Sequence, residues 1–148
     1  MFKHILLPTD GSKLADRAIT QGVKLAKSLG AKITLFSVAP EFLMIADDVF
    51  AVPISVDIKR RYDREARLRA EKMLAAIERR VARAGLKVDS VAVVSDLPYR
   101  EIIKVARKRK CDLVVMASHG RRGLSGLLLG SETVKVLTHS KIPVLVVR

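Results

Sequence analysis

The sequence predicts a doubly wound α/β fold, a three-layer sandwich with a five-stranded parallel sheet at its centre. Two observations carry the prediction: short apolar runs alternate along the whole chain with longer segments of helical periodicity, and the runs are bounded by Gly, Pro and Asp turn signals. Size is the third. A chain of 148 residues with 49% hydrophobic content suffices for one domain with a real core, so residues 1–148 are expected to form a single domain. Strands alternating with helices require right-handed crossovers, which place helices on both faces of a parallel sheet.

The elements follow in order. Residues 3–8, KHILLP, read as a first strand stopped by proline, and TDGS then supplies turn chemistry and a choice of helix caps. A helix over 13–29 carries Leu14, Ala18, Val23, Leu25, Ala26 and Leu29 at roughly helical spacing, with Gly30 placed to end it in a left-handed conformation. Residues 32–38 make a second strand. The stretch 39–53, with two prolines and adjacent aspartates, reads as a long loop or lid. A long helix over about 55–84 shows an inward face of Ile58, Tyr62, Ala66, Met73, Ile77 and Val81, and Gly85 ends it. Residues 87–94 form a third strand, and 96–110 a helix with Pro98 in its first turn and basic residues in its last. A fourth strand over 111–116, a helix ending near His139 and a final strand over 144–147 complete the register.

The segment from Cys111 to Ser131, CDLVVMASHGRRGLSGLLLGS, is the expected ligand site, because a buried strand there runs into a loop punctuated by Gly120, Gly123, Gly126 and Gly130 and then opens a helix. Ser131 is expected as that helix's N-cap, at a positive end that attracts phosphate, with Arg121 and Arg122 adding charge beside it. Neither GK[ST] nor G-x-G-x-x-G occurs, and on spacing alone a loop whose glycines only cap and turn is equally open. The segment resembles the nucleotide loop of the universal stress protein family, which reads G, two residues, G, nine residues, G and then Ser or Thr. Here that pattern falls on Ala117, Gly120, Gly130 and Ser131, with alanine in place of the first glycine.

The resemblance spans the whole chain and implies a strand order of 3-2-1-4-5. In such an order ligands bind at the carboxyl ends of strands one and four, at Pro8, Thr9 and Asp10 and at Met116, Ala117, Ser118, His119 and Gly120. It implies an adenine nucleotide, ATP, with Asp10 on the ribose or adenine, Val38 beside the adenine through its backbone, and the phosphates along the loop through Arg121, Gly130, Ser131 and Glu132. The bland readings stand beside these: Asp10 as a turn and helix-start residue competing with Ser12, Val38 as core, Glu132 as a carboxylate suited to a helix start. The resemblance also implies a homodimer through Val144, Leu145, Val146 and Val147, an uncharged edge strand open to its own copy.

Catalysis has less support. No nearby acid or second histidine joins His119 at metal-ligand spacing, so any Mg²⁺ is expected to be held by the nucleotide phosphates and water. No G-x-S-x-G elbow activates a serine, and of the parts that phosphoryl transfer needs only the basic one is evident. The reading is a stress-response or regulatory ATP-binding protein with at most slow hydrolysis, the alternatives being a nucleotide-free interaction module or, further off, an ATP-using enzyme. A single cysteine, Cys111, excludes an intramolecular disulfide framework. With no signal-peptide core and no apolar run of membrane length, a cytoplasmic protein is expected and a membrane partner is not. Twenty-eight Lys and Arg against 15 Asp and Glu give a formal charge of +13, which attracts anions in general. Few aromatics and a mixed-sign long helix weigh against nucleic acid.

Overall fold

A computed structural model describes residues 1–42, 56–120 and 129–148. Its elements are β1 (His4–Pro8), α1 (Lys13–Leu29), β2 (Lys32–Ala39), α2 (Val56–Arg83), β3 (Val88–Val94), α3 (Pro98–Lys108), β4 (Leu113–Ala117), α4 (Ser131–His139) and β5 (Val144–Val147). All pairings are parallel and the strand order is β3-β2-β1-β4-β5, as the family resemblance implies.

Strand alternation sorts the core into two halves. Ile5, Leu7, Ile33, Leu35, Leu113 and Val115 point to one face, where α1 and α2 cover them with Ile19, Ala26, Ala66, Ala70 and Leu74. Leu6, Phe36, Val114 and Met116 point to the other, under Ile102, Val105 and Ala106 of α3 and Val136 of α4. The helices thus form the two outer layers of the sandwich. Because β1 and β4 are covered on both sides they read as unbroken apolar runs, whereas β2, also covered on both sides, is interrupted by the buried Thr34 and Ser37; Ile5, Leu6, Leu7, Leu35 and Val115 are fully buried.

Several boundaries differ from the sequence reading. β4 begins at Leu113, since Cys111 closes the turn after α3 with its N–H on the Ala106 carbonyl and Asp112 turns back to β1. The helix expected to reach 110 ends at Lys108, and Lys110 leaves it at a φ of 56°. Ser12 caps α1 through a 3.1 Å bond from Ala15 N–H, and Gly30 ends that helix at a φ of 65°. The bulk of the expected lid, residues 43–53, lies outside the described residues, with only its first residues, up to Phe42, inside them.

At the amino-terminal end of the sheet, side chains fix the strand register. The Asp112 carboxylate accepts from Lys3 N–H at 2.8 Å and His4 N–H at 2.9 Å, tying β4 to β1. Burial works against its charge, yet these N–H groups hold the carboxyl below the usual range. His4 meets the Thr34 hydroxyl at 2.8 Å through Nε2, that hydroxyl donates to Asp89 at 2.5 Å, and Arg109 donates to Asp89 at 2.8 Å. One polar chain so crosses β1, β2 and β3.

Candidate functional site

The opposite, carboxyl-terminal end of the sheet is shaped by a divergence of strands. β1 and β4 pair only at Ile5 with Leu113 and Leu6 with Val114, although β1 runs on to Pro8 and β4 to Ala117. Beyond the last pair the two chains part, which is the crevice an open parallel sheet offers where its winding reverses.

On the β1 side, Thr9 N–H donates to the Phe36 carbonyl at 2.8 Å and its hydroxyl accepts from Gly11 N–H at 3.1 Å, so the turn is anchored to β2. Asp10 Oδ1 accepts from Ser12 N–H at 2.9 Å, the turn role that its sequence context allows. Its other oxygen faces the second loop: Oδ2 lies 2.9 Å from where a Cβ on Gly120 would stand. Val38, near the end of β2, packs against the core half under α3 and pairs with Val93.

On the β4 side, Met116, Ala117 and Ser118 are all buried. Alternation puts the Ala117 methyl on the face of Leu113 and Val115, toward the α1 and α2 layer. Ser118 N–H continues the ladder onto Val147 at 2.8 Å, and the Ser118 hydroxyl lies 3.1 Å from His119 Nδ1. The chain returns at Gly130, whose N–H donates to the Ser118 carbonyl at 2.8 Å. A Cβ on Gly130 would stand 3.2 Å from both His119 Cα and that carbonyl oxygen, so any side chain there presses on the backbone of the first loop.

Gly130, not Ser131, is the N-cap of α4, extended at φ −62° and ψ 149° and without a side-chain cap bond. Ser131 is already the first helical residue, because the chain must stay extended at 130 to reach Ser118. Gly130 has no side chain with which to cap α4, whose first turn is a positive helix end suited to phosphate. Thr133, which the sequence reading passed over, holds the arrangement: its buried hydroxyl reaches the Ala117 carbonyl at 3.0 Å and the Ser118 carbonyl at 3.2 Å. A hydroxyl two residues past Ser131 was the available signal, but it is indistinguishable in sequence from an ordinary helix-start threonine.

The structure therefore brings together Pro8, Thr9, Asp10, Met116, Ala117, Ser118, His119, Gly120, Gly130 and Ser131. Glu132 turns elsewhere. Its carboxylate accepts from Tyr99 N–H at 2.8 Å, closing the start of α3, and pairs with Lys135 at 2.8 Å. Arg121 lies outside the described residues. Among the described residues no group of three or more His, Cys, Asp or Glu could hold a metal ion, and no helix is long and apolar enough to cross a membrane.

Comparison with known proteins agrees with this architecture. The family model "Universal stress protein family" matches residues 1–148. The chain is 34% identical to Universal stress protein MJ0577 of Methanocaldococcus jannaschii, over all of this chain and 96% of that protein. The solved structure of MJ0577 superposes with a TM-score of 0.83 over 99% of this chain and 96% of that one, at 29% identity. A universal stress protein in complex with cAMP superposes with a TM-score of 0.70 at 24% identity, over 99% and 97% of the two chains. An Archaeoglobus fulgidus universal stress protein in complex with dAMP does so at 0.63 and 14%, over 100% and 98%. The last two share the fold.

Proposed function

The chain belongs to the universal stress protein family, and we propose that it binds ATP in the crevice between β1 and β4, as a cytoplasmic stress-response or regulatory protein with little or no turnover. The observation that carries this reading is the apposition of Asp10 Oδ2 and Gly120, with the start of α4 held to the same loop by the bond from Gly130 N–H to the Ser118 carbonyl. A carboxylate suits the hydroxyls of a ribose or the amino group of adenine, and a helix start suits phosphate. Adenine nucleotides also occupy two proteins of this fold, one as cAMP and one as dAMP. In this arrangement the adenine lies near Asp10 and Val38, and the phosphates lie along the loop from Ala117 to Ser131, with any Mg²⁺ held by those phosphates and water. Among the described residues the crevice offers one carboxylate, that of Asp10, and no group of three or more His, Cys, Asp or Glu that could hold a metal ion, which favours occupancy over hydrolysis.

Calorimetry with Mg-ATP at millimolar concentration tests the proposal. Wild type is expected to bind, Gly130→Val to lose binding through the side chain forced against His119 and Ser118, and Ala117→Gly to bind equally or more tightly. A second reading, a nucleotide-free interaction module, is favoured by one observation, the methyl of Ala117 at the first position of the loop pattern. Silence from both wild type and Ala117→Gly overturns the nucleotide reading in its favour.

A further inference from the structure

The outer surface of the α1 and α2 layer is strongly basic, and the nucleotide crevice does not use it. α2 carries ten Lys and Arg against five Asp and Glu, and α1 four against one. Read along α2 alone the charge looks mixed, but most of these acids are engaged by neighbouring side chains. Asp16 of α1 pairs with Arg80 of α2, Asp63 with Lys59 at 2.9 Å, Glu71 with Arg67 at 2.9 Å and Glu65 with Arg69 at 3.9 Å. Glu78 accepts from the Ser90 hydroxyl at 2.6 Å. Ala66, Ala70, Leu74 and Val81 mark the side of α2 that faces the sheet. At about 100° per residue, Arg61, Arg64, Lys72, Arg79 and Arg83 fall on the opposite half. All five are exposed, and none takes part in an ion pair among the described residues.

We infer that this face docks on the phosphate backbone of duplex nucleic acid, holding it by charge without reading bases. From Arg61 to Arg83 the strip runs about 33 Å at about 1.5 Å per residue, close to one turn of a duplex at about 34 Å. Lys13, Arg17, Lys24 and Lys27 of α1 widen the same face, because α1 and α2 cover one side of the sheet. Single strands are disfavoured, since the one aromatic ring of α2, Tyr62, sits at the edge of the strip and packs edge-on against Phe42. An anionic membrane is disfavoured as well: between Arg61 and Arg83 the exposed large apolar side chains are Leu68 at 48% and Tyr62 at 38%, and Ala66, Ala70, Leu74 and Val81 are packed into the core.

Fluorescence anisotropy with a labelled duplex of about 20 base pairs and mixed sequence, between about 50 and 200 mM salt, tests the inference. Wild type is expected to bind at low salt and to weaken steeply as salt rises. The combined variant Arg61→Gln, Arg64→Gln, Lys72→Gln, Arg79→Gln is expected to bind at least about tenfold more weakly, with a logarithmic salt slope shallower by about 3 to 4. A control removing the same charge from α3, Arg100→Gln, Lys104→Gln, Arg107→Gln, Lys108→Gln, is expected to stay within about twofold of wild type. Absence of binding at low salt, equal losses in the two variants, or binding to phosphatidylserine vesicles in preference to the duplex overturns the inference. The α2 variant keeps its Mg-ATP binding, so this result stands apart from the test of the crevice.

Discussion

Asp10 and Gly120 face each other across the crevice so closely that a methyl on Gly120 would sit 2.9 Å from the Asp10 carboxylate. The two residues act as one feature, and substitutions there are expected to be coupled. Gly120→Ala pushes the carboxylate aside and is expected to weaken ATP binding, as is Asp10→Ala. The double variant should lose less than the two single losses together. Full additivity in calorimetry removes the claim that Asp10 acts from this position.

Asp10 also has a turn to hold through Ser12 N–H. Asp10→Ala is therefore expected to cost about 1 kcal/mol of stability, the usual scale for a lost capping or turn bond. Urea denaturation and ATP titration on the same sample separate the two roles. An affinity loss matched by the ATP-free stability loss alone would assign Asp10 to the turn only.

His4 predicts a pH dependence. Burial, and then the charge of Lys32, hold its imidazole below the ordinary 6.5, against the upward pull of Asp89 and Asp112. The unfolded chain takes up this proton first as pH falls. The contribution is complete above about pH 6.5 and is lost progressively below it. His4→Gln, which keeps a partner for Thr34, should lose less stability than wild type between about pH 7 and pH 5; parallel losses would rule out His4 as the source.

Cys111 is 5% exposed, and burial, with the nearby Asp89 and Asp112 charges, pushes its thiol up to about 12. Its thiolate is scarce at neutral pH. A disulfide reagent at about pH 8 is expected to leave the folded protein unlabelled and to react fully once denaturant is added. Rapid labelling of the native protein would show that the turn after α3 opens.

β5 is an edge strand, and Leu145 is 43% exposed. Val114 N–H donates to Pro143 and Ser118 N–H to Val147, so residues 143, 145 and 147 turn their backbone groups to β4. Those of Val144 and Val146 point to the open edge. We propose that two copies pair antiparallel along this edge, the dimer that the family resemblance implied. Light scattering at micromolar concentration should give a dimer mass for wild type and a monomer for Val146→Pro, which removes an outward donor while sparing the β4 ladder. A monomeric wild type ends the proposal.

Much of the fold was legible because the sheet is buried on both faces. Residues such as Ile5, Leu6 and Leu7, or Val114, Val115 and Met116, must then be apolar without interruption, and such runs stand out between periodic helices. Boundaries slipped where a long-range bond decides them. Asp112 turns toward Lys3 and His4, which shortens β4, and Gly130 is held extended by Ser118, which moves the cap away from Ser131. Of the candidate site, the two loops were legible from the family pattern. The Thr133 hydroxyl and the pairing of Glu132 with Tyr99 were not, because each joins elements far apart in the chain. The charge of α2 was visible, and so was the pairing of Glu65 with Arg69 four residues on; the engagement of Asp16 by Arg80 and of Glu78 by Ser90 joins separate elements and exists only after folding.

The Asp112 clamp and the polar chain from His4 to Arg109 sit at the end of the sheet remote from the crevice. Strand alignment is thus settled by side chains that no ligand touches, and the loops after β1 and β4 inherit an alignment they need not maintain. Those loops are modular. Segments of other length or chemistry grafted between His119 and Gly130, which spare the bonds of Ser118 to Val147, Gly130 and Thr133, should be accepted without shifting the sheet, so that one scaffold can carry changed ligand preferences at little cost to its folding.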